Sequence, residues 1–310
     1  MSSVAVIDLG TISTRLLMMA GGQRLRPAPL VTHMGEGLAT TGVISEAALE
    51  RVRSALELFK GQIDAQNITS IRTIATSAAR DAANREQLFG VVHDVLGVDT
   101  ELLTGEVEGR LAFSGAVAGL GPQNYPTQRT VLLDIGGGST EVSIGTVSGE
   151  HLGTHSADIG ASSVTATYFE NDPPRPEELS AALSVIQLHL DDARRTLDDL
   201  DGAIASGPII GVGGTITTIA AVELGLIDYD SAQIHQFVLD RDAVEDVFRT
   251  LATEGRDDRV HNPGLAPDRV DLIVGGAAIL VEVMRHLSIE QIAVSEFDIL
   301  DGVALVALDT

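Results

Sequence analysis

Two aspartates each stand at the end of an apolar run and precede glycine and hydroxyl residues. In VAVIDLGTIST (4–14) the aspartate is Asp8, and in VLLDIGGGSTE (131–141) it is Asp134. A carboxylate at the end of a strand can hold a divalent cation, and a glycine-rich turn directs backbone N–H groups at phosphate oxygens. The two segments therefore predict binding of a phosphorylated ligand together with a cation.

A third glycine-rich segment, GVGGTITT (211–218), follows an apolar run and leads into a helical pattern. One such segment alone is weak evidence, because Asp-Leu-Gly and Gly-Gly-Ser also form plain hairpin turns. Two segments in a repeated frame, together with the third, favour phosphate binding over three unrelated turns.

Apolar periodicity assigns these turns to the ends of strands. The first segment predicts strand 4–9, a tight turn and strand 15–20, and the second predicts the same hairpin with a further strand near 153–157. A helix capped by Ser45 is predicted from apolar residues at steps of three and four, from Leu49 to Ile63. The remaining predicted elements are strands 71–75 and 100–103, a strand-turn-helix at 208–220, and helices 84–97, 105–120, 176–200, 240–253 and 268–286.

The repeated hairpin also indicates two domains. Asp8 and Asp134 lie 126 residues apart, which is about the length of one domain. Residues 119–130, GLGPQNYPTQRT, cluster turn-forming residues and are the best linker candidate. We therefore expect one domain over 1–120 and another over 121–310, with a final helix near 299–310 as a candidate for packing on the first domain.

Composition restricts the classes of function. The 310 residues carry a net charge of −24, and cysteine is absent, which excludes disulfides, thiolate zinc sites and cysteine nucleophiles. So acidic a chain repels polyanions and disfavours duplex nucleic acid. The N-terminus lacks the basic region of a signal peptide, and no apolar run reaches the roughly 18 residues of a membrane span. We expect a cytoplasmic protein with no membrane partner.

Five segments, in this order, resemble those of the exopolyphosphatase and guanosine pentaphosphate phosphohydrolase family, a branch of the actin-like ATPase superfamily. They are IATSAARDAAN (74–84), LTGEVEGRLAF (103–113), LLDIGGGSTE (132–141), GVGGTITT (211–218) and DRVDLIVGGAAIL (268–280). The resemblance covers nearly the whole chain and is greatest to the short, two-domain members. It implies an α/β fold of two ribonuclease-H-like (actin-like ATPase) domains flanking an interdomain cleft that holds the active site.

The resemblance implies an exopolyphosphatase that uses Mg²⁺ or Mn²⁺ to release terminal orthophosphate from inorganic polyphosphate. The general base of the family, in Gly-x-Glu-Glu-Ala-Arg, corresponds to Glu108 in Gly105–Arg110. Without the resemblance, Glu108 is more simply interpreted as a solvated helix charge. Family positions for the metal match Asp8, Asp134 and Glu141. Those for phosphate-loop donors match Ser13, Gly136, Gly137, Gly138, Ser139 and Thr140. The other predicted phosphate-binding residues are Gly10, Thr11, Gly213, Gly214 and Thr215 in the glycine-containing loops, and Arg15 and Arg80, whose charge could neutralise substrate phosphates.

Alternatives remain within this resemblance. Arg80 is the better candidate for contacting substrate, whereas Arg15 is equally consistent with bracing its strand. Three departures bear on activity: Ile12 replaces an asparagine, Val107 a glutamate and Leu300 an arginine. The alternative functions are hydrolysis of guanosine pentaphosphate, a weakly active regulatory polyphosphate binder, and the kinases or assembly proteins of the same superfamily. A homodimer is also expected.

Overall fold

The computed structural model describes residues 3–120, 129–199 and 208–308. The chain forms two compact units: the first is Met1–Gly115 with Ile299–Thr310, and the second is Ala116–Asp298. Most of the predicted linker 119–130 lies outside the described residues.

The first unit contains one mixed sheet and its covering helices. In chain order its elements are β1 (Val4–Leu9), β2 (Ser13–Ala20), β3 (Gln23–Leu25), β4 (Leu30–Val31), α1 (Leu38–Thr41), α2 (Glu46–Ala65), β5 (Ile71–Ala75), α3 (Ser77–Asp81), α4 (Arg85–Leu96), β6 (Thr100–Leu102) and α5 (Gly105–Leu120), the last of which continues into the second unit. The sheet order is β3-β2-β1-β5-β6, with β4 also paired to β2. Strand β1 is antiparallel to β2 and parallel to β5, so the carboxyl ends of β1 and β5 meet at one edge.

Helix α2 covers this sheet as the sequence predicts. The Ser45 hydroxyl accepts a hydrogen bond from the Ala48 N–H at 3.1 Å, which caps the helix. Val52, Leu56 and Phe59 are buried on the face that packs on the core of the unit. The predicted helix and its N-cap are therefore confirmed.

The second unit repeats the sheet arrangement of the first. Its elements are β7 (Arg129–Ile135), β8 (Thr140–Thr146), β9 (His151–Ala157), α6 (Ala161–Tyr168), α7 (Pro176–Asp199), β10 (Ile209–Val212), α8 (Gly214–Glu223), α9 (Ser231–Ile234), β11 (Val238–Asp240), α10 (Arg241–Thr253), α11 (Arg256–Arg259), α12 (Ile273–His286) and β12 (Gln291–Val294). The order β9-β8-β7-β10-β12 matches β3-β2-β1-β5-β6, with β11 added at the edge. Each sheet has an antiparallel meander followed by parallel strands, which confirms the predicted α/β, ribonuclease-H-like fold of the actin-like ATPase type.

Helix α12 forms the centre of the second unit. Every residue from Ile273 to Met284 is buried, and Glu282 is the one charged residue among them. The predicted start at residue 268 is wrong. Residues 268–272 form turns, and the helix begins at Ile273. Within the described part of the chain, no helix combines the length and the apolar character that crossing a membrane requires.

The last helix, α13 (Ile299–Leu308), belongs to the first unit and packs against β1 and β2. The Arg24 guanidinium on β3 donates to both carboxylate oxygens of Asp301, at 2.6 and 2.9 Å. Gly302 allows the close approach, because a Cβ at this position would collide with the backbone of Leu111 in α5.

We expect Gly302→Ala to lower the free energy of unfolding by about 1–3 kcal/mol, since the added methyl group overpacks a rigid backbone contact. Gly90→Ala is the matched control: Gly90 is exposed on α4, and nothing lies within 4 Å of the added Cβ. That substitution should raise the free energy of unfolding by roughly 0.5–1 kcal/mol. Urea denaturation measures both. Equal effects of the two substitutions would contradict the tight α13–α5 contact.

Candidate active site

The first hairpin turn is closed by a backbone hydrogen bond and held from behind by the segment after β4. The Gly10 N–H donates to the Ser13 carbonyl at 3.1 Å. The Ile12 carbonyl accepts from the N–H groups of Thr32 and His33 at 2.9 and 2.8 Å, and the Thr11 carbonyl accepts from Gly35 at 2.9 Å. The turn is thus fixed by its carbonyl oxygens.

Asp8 lies at the end of β1, directly opposite Arg15 on β2. Its carboxylate is buried, and Oδ2 accepts from Arg15 Nε at 2.9 Å and from Nη2 at 2.5 Å. This two-point ion pair braces the hairpin. The roles of Asp8 as a metal ligand and of Arg15 as a phosphate ligand stay predictions.

Glu108 lies in the first turn of α5, where the Thr104 hydroxyl accepts from the Val107 N–H at 3.3 Å. Its side chain is only 12% exposed. Arg80 Nη1, at the end of α3, donates to Glu108 Oε2 at 2.5 Å. The second oxygen, Oε1, accepts no hydrogen bond from any residue that the structure describes. Glu108 is therefore not a solvated helix charge, and one of its oxygens remains available to accept a proton.

Burial raises the pKa of Glu108 above its ordinary value of 4.5. The charge and hydrogen bond of Arg80 oppose this effect, the negative charge of Asp8 adds to it, and Arg15 opposes it weakly. The net direction is upward, which moves this carboxylate toward the range in which a glutamate acts as a general base near neutral pH. Glu106, two residues earlier, is exposed.

The second hairpin turn has the same internal hydrogen bond as the first, from the Gly136 N–H to the Ser139 carbonyl at 3.0 Å. The Gly136 carbonyl accepts from Ala161 at 2.9 Å, and the Gly137 carbonyl accepts from Ser162 at 2.8 Å, both at the N-terminus of α6. In a trans peptide the N–H points opposite to the carbonyl. The N–H groups of Gly137 and Gly138 therefore point away from α6, and neither has an acceptor among the described residues.

The side chains around this turn divide into two groups. Asp134 and Glu141 lie directly opposite each other on β7 and β8, so both carboxylates are on one face. Glu141 is buried and accepts from the Ser156 hydroxyl at 2.7 Å. The Thr140 hydroxyl donates its proton to the Ile159 carbonyl at 2.6 Å, and a phosphate role for Thr140 stays a prediction.

The third glycine loop meets the end of β7. Gly213 has φ +90°, and a Cβ there would lie 2.7 Å from Asp134 Oδ1, so only glycine fits. Gly214 begins α8, and Thr215 behind it is buried. The guanidinium of Arg269 lies against Gly214, 2.7 Å from the position of an added Cβ. Arg269 was not predicted as a site residue, although it lies within the segment 268–280 that carries part of the resemblance.

The pair of carboxylates in the second unit fits the binding mode of Mg²⁺. This cation keeps several waters and takes one or two carboxylates together with substrate phosphate oxygens. Asp134 and Glu141 supply two carboxylates beside the N–H groups of the turn. At the equivalent positions of the first unit, Asp8 faces the cation of Arg15. Over residues 3–120, 129–199 and 208–308, no group of three or more acidic, histidine or cysteine side chains is arranged to hold a metal ion.

The three departures from the family pattern lie in the interior or at its edge. Ile12 is 7% exposed, so its side chain is part of the packed interior and does not extend from the turn as a polar residue would. Val107 is half-buried, and Leu300 is fully buried in α13. Each side chain is accommodated by packing.

The structure brings the predicted residues together in two sets. The first set, in the first unit, surrounds Glu108: its pKa is affected by the nearby charges of Arg80, Asp8 and Arg15. In the second unit the turn 136–140, Asp134, Glu141 and the loop 213–215 converge at the end of β7.

Known proteins with similar sequences and structures are consistent with this arrangement. The sequence pattern of the Ppx/GppA phosphatase family matches residues 22–310. Exopolyphosphatase 2 of Mycobacterium tuberculosis is 35% identical, over 98% of this chain and 98% of that protein. The guanosine-5′-triphosphate,3′-diphosphate pyrophosphatase of Pseudoalteromonas translucida is 26% identical, over 96% of this chain and 58% of that protein. The crystal structure of an exopolyphosphatase-like protein, 32% identical, superimposes with a TM-score of 0.90 and covers 98% of both chains.

Proposed function

Because this chain belongs to the Ppx/GppA phosphatase family, we propose that it is an exopolyphosphatase that releases terminal orthophosphate from inorganic polyphosphate by hydrolysis. Membership of this family identifies the chain as a phosphoanhydride hydrolase. The similarity to an exopolyphosphatase, 35% identical over 98% of both chains, supports polyphosphate as the substrate. The observation that supports hydrolysis by an activated water is the buried Glu108, which has a raised pKa and one carboxylate oxygen without a donor among the described residues.

In the proposed reaction Glu108 orients a water molecule and accepts its proton. The water oxygen bonds to the terminal phosphorus, the bond from that phosphorus to the bridging oxygen breaks, and the shortened chain leaves with the electron pair. In the second unit, the N–H groups of Gly137 and Gly138 are proposed to bind phosphoryl oxygens of the polyphosphate and to stabilise their negative charge. No covalent phosphoenzyme is required.

The proposed cofactor is Mg²⁺, with Mn²⁺ as an alternative, held by Asp134 and Glu141. When bound by these carboxylates, the cation would neutralise phosphate charge, which a protein of net charge −24 otherwise repels. The carboxylates face one side of the hairpin, and this placement supports the assignment. Cytoplasmic location and a homodimer both stay predictions. Sedimentation equilibrium of the purified chain tests the homodimer.

Phosphate release from four substrates tests the proposed function. Purified protein with Mg²⁺ is incubated with long polyphosphate, short polyphosphate, guanosine pentaphosphate or ATP, and orthophosphate is measured with time. We expect the highest kcat/KM on a polyphosphate and no release after EDTA, with recovery on adding Mg²⁺.

The other outcomes identify the alternatives. Preference for guanosine pentaphosphate would assign the activity named for the Pseudoalteromonas relative. Tight polyphosphate binding without turnover would indicate a regulatory binder. Full activity in EDTA would exclude the metal requirement.

A further inference from the structure

We propose that the Ser77 hydroxyl positions the attacking water together with Glu108. One proton of the water goes to Glu108 Oε1, and the Ser77 oxygen accepts a hydrogen bond from the other. The lone pair of the water oxygen is then directed at the terminal phosphorus. This inference rests on the proposed function, since it names how the water of that reaction is oriented.

Ser77 has a buried side chain whose hydroxyl is not used by the fold. The residue is 6% exposed, and its hydroxyl has no hydrogen-bond partner among the residues that the structure describes. Its oxygen is not one of the fully enclosed polar atoms that lack a partner, so a water molecule can reach it. Most buried polar side chains in proteins have a partner, and a hydroxyl left free in this way is available to one that the reaction supplies.

The position of Ser77 on α3 places it beside the base. Ser77 is three residues before Arg80, so the two side chains lie on the same face of the helix. Side chains of a helix lean toward its N-terminal end, which directs the guanidinium of Arg80 over the Ser77 side of that face. Arg80 Nη1 donates to Glu108 Oε2 at 2.5 Å and to the Leu103 carbonyl at 3.1 Å. The guanidinium therefore holds the carboxylate on the side of α3 where Ser77 lies.

The repeated architecture gives independent support for this placement. Strands β5 and β10 have the same place in the two sheet orders, and α3 and α8 each begin two residues after them, at Ser77 and Gly214. Gly214 lies in the loop 213–215 at the end of β7. In the first unit the carboxyl ends of β5 and β1 meet in the same way, so Ser77 lies at the edge of the sheet that carries Asp8.

The chemistry of the attacking water requires a second acceptor. A water molecule held by one hydrogen bond rotates about it, whereas two hydrogen bonds fix the direction of its lone pair. Glu108 Oε1 accepts no hydrogen bond from any described residue, so it is available for the first proton. The Ser77 oxygen has two lone pairs and can accept from the second. With Glu108 alone the water would rotate, and Ser77 removes that freedom.

The first test is Ser77→Ala, which removes the hydroxyl and keeps a small side chain. We expect kcat on polyphosphate to fall roughly 10-fold with KM within about twofold, because the water is less well oriented whereas the substrate contacts remain. The urea midpoint should be unchanged or higher, since the lost hydroxyl has no partner among the described residues. Ser54→Ala is the matched control: Ser54 is exposed on α2, and its substitution should leave kcat within about twofold.

A double-variant cycle tests whether Ser77 and Glu108 hold the same water. In the Glu108→Gln background, Ser77→Ala should lower the residual kcat by less than about twofold, because residues that act as a unit have non-additive effects. A further loss of about 10-fold in that background would overturn the proposal. So would an unchanged kcat in Ser77→Ala, a loss confined to polyphosphate affinity in calorimetry, or a lower urea midpoint that accompanies the loss of activity. Failure of the proposed function has a different signature, namely wild-type turnover in Glu108→Gln.

Discussion

Glu108→Gln should lower the turnover of polyphosphate by roughly 10²-fold or more, while polyphosphate binding is retained. Glutamine preserves the size of the side chain and its hydrogen bond to Arg80, but it cannot accept the proton of the attacking water. Steady-state phosphate release gives kcat, and calorimetry gives the affinity.

Glu106→Gln is the matched control for this substitution. Glu106 is in the same turn of α5 and is exposed, so its neutralisation should change kcat little and the free energy of unfolding by less than about 0.5 kcal/mol. Equal losses of kcat in the two variants, or a wild-type kcat in Glu108→Gln, would show that Glu108 is not the general base.

The pH dependence of the wild-type enzyme follows from the same residue. A base acts in its deprotonated form, so kcat/KM falls as the pH drops through the pKa of Glu108. Since burial raises that pKa, the acid limb should lie at higher pH than a solvated glutamate would give, and it should be absent from the residual activity of Glu108→Gln. An acid limb that persists in the pH profile of Glu108→Gln would be caused by the titration of another residue.

Asp134→Asn is expected to raise the Mg²⁺ concentration for half-maximal activity by at least about 10- to 100-fold. The substitution preserves shape and removes one of two carboxylate charges on the face shared with Glu141. At a fixed, subsaturating Mg²⁺ concentration, turnover should fall by a comparable factor. Phosphate release is measured across a Mg²⁺ titration, and part of the loss should be recovered at high Mg²⁺.

Asp8→Asn tests which of the two hairpins holds the metal ion. Asp8 is held by Arg15, so Asp8→Asn removes the negative charge from a buried two-point ion pair and should lower the free energy of unfolding by about 1–3 kcal/mol. With the cation held by Asp134 and Glu141, the half-maximal Mg²⁺ concentration should change little in Asp8→Asn, whereas a rise in both Asp8→Asn and Asp134→Asn would support the metal role that the sequence predicts for Asp8 as well. A large shift for Asp8→Asn with none for Asp134→Asn would place the metal ligand in the first unit and contradict the assignment to Asp134.

The elements that position the site were largely predictable from the sequence because their signals are local. Alternation and turn residues define both hairpins, and the Ser45 cap with its apolar steps defines α2. The ends of helices were less predictable. Residues 268–272, Asp-Arg-Val-Asp-Leu, lie within the predicted helix but form turns, since tertiary packing decides where a buried helix begins.

The contacts within the site were not predictable, because they join residues that are distant in sequence. Nothing local in Arg80 indicates that it meets Glu108, 28 positions away, or that Arg269 lies against Gly214. Thr140 has the residue type of a phosphate donor, yet its proton is used by Ile159, which β9 and the turn after it bring alongside. Residue type predicts the chemistry that is available, and the fold decides which groups remain free to perform it.

Isotope transfer from solvent tests the central claim most directly. Polyphosphate is hydrolysed by the wild-type chain in ¹⁸O-labelled water with Mg²⁺, and the released phosphate is analysed by mass spectrometry. A water attacking the terminal phosphorus predicts single orthophosphates that each carry one solvent oxygen, formed from chain ends while the long polymer persists. Release of internal fragments, of unlabelled orthophosphate, or of no orthophosphate above the Glu108→Gln level would contradict it.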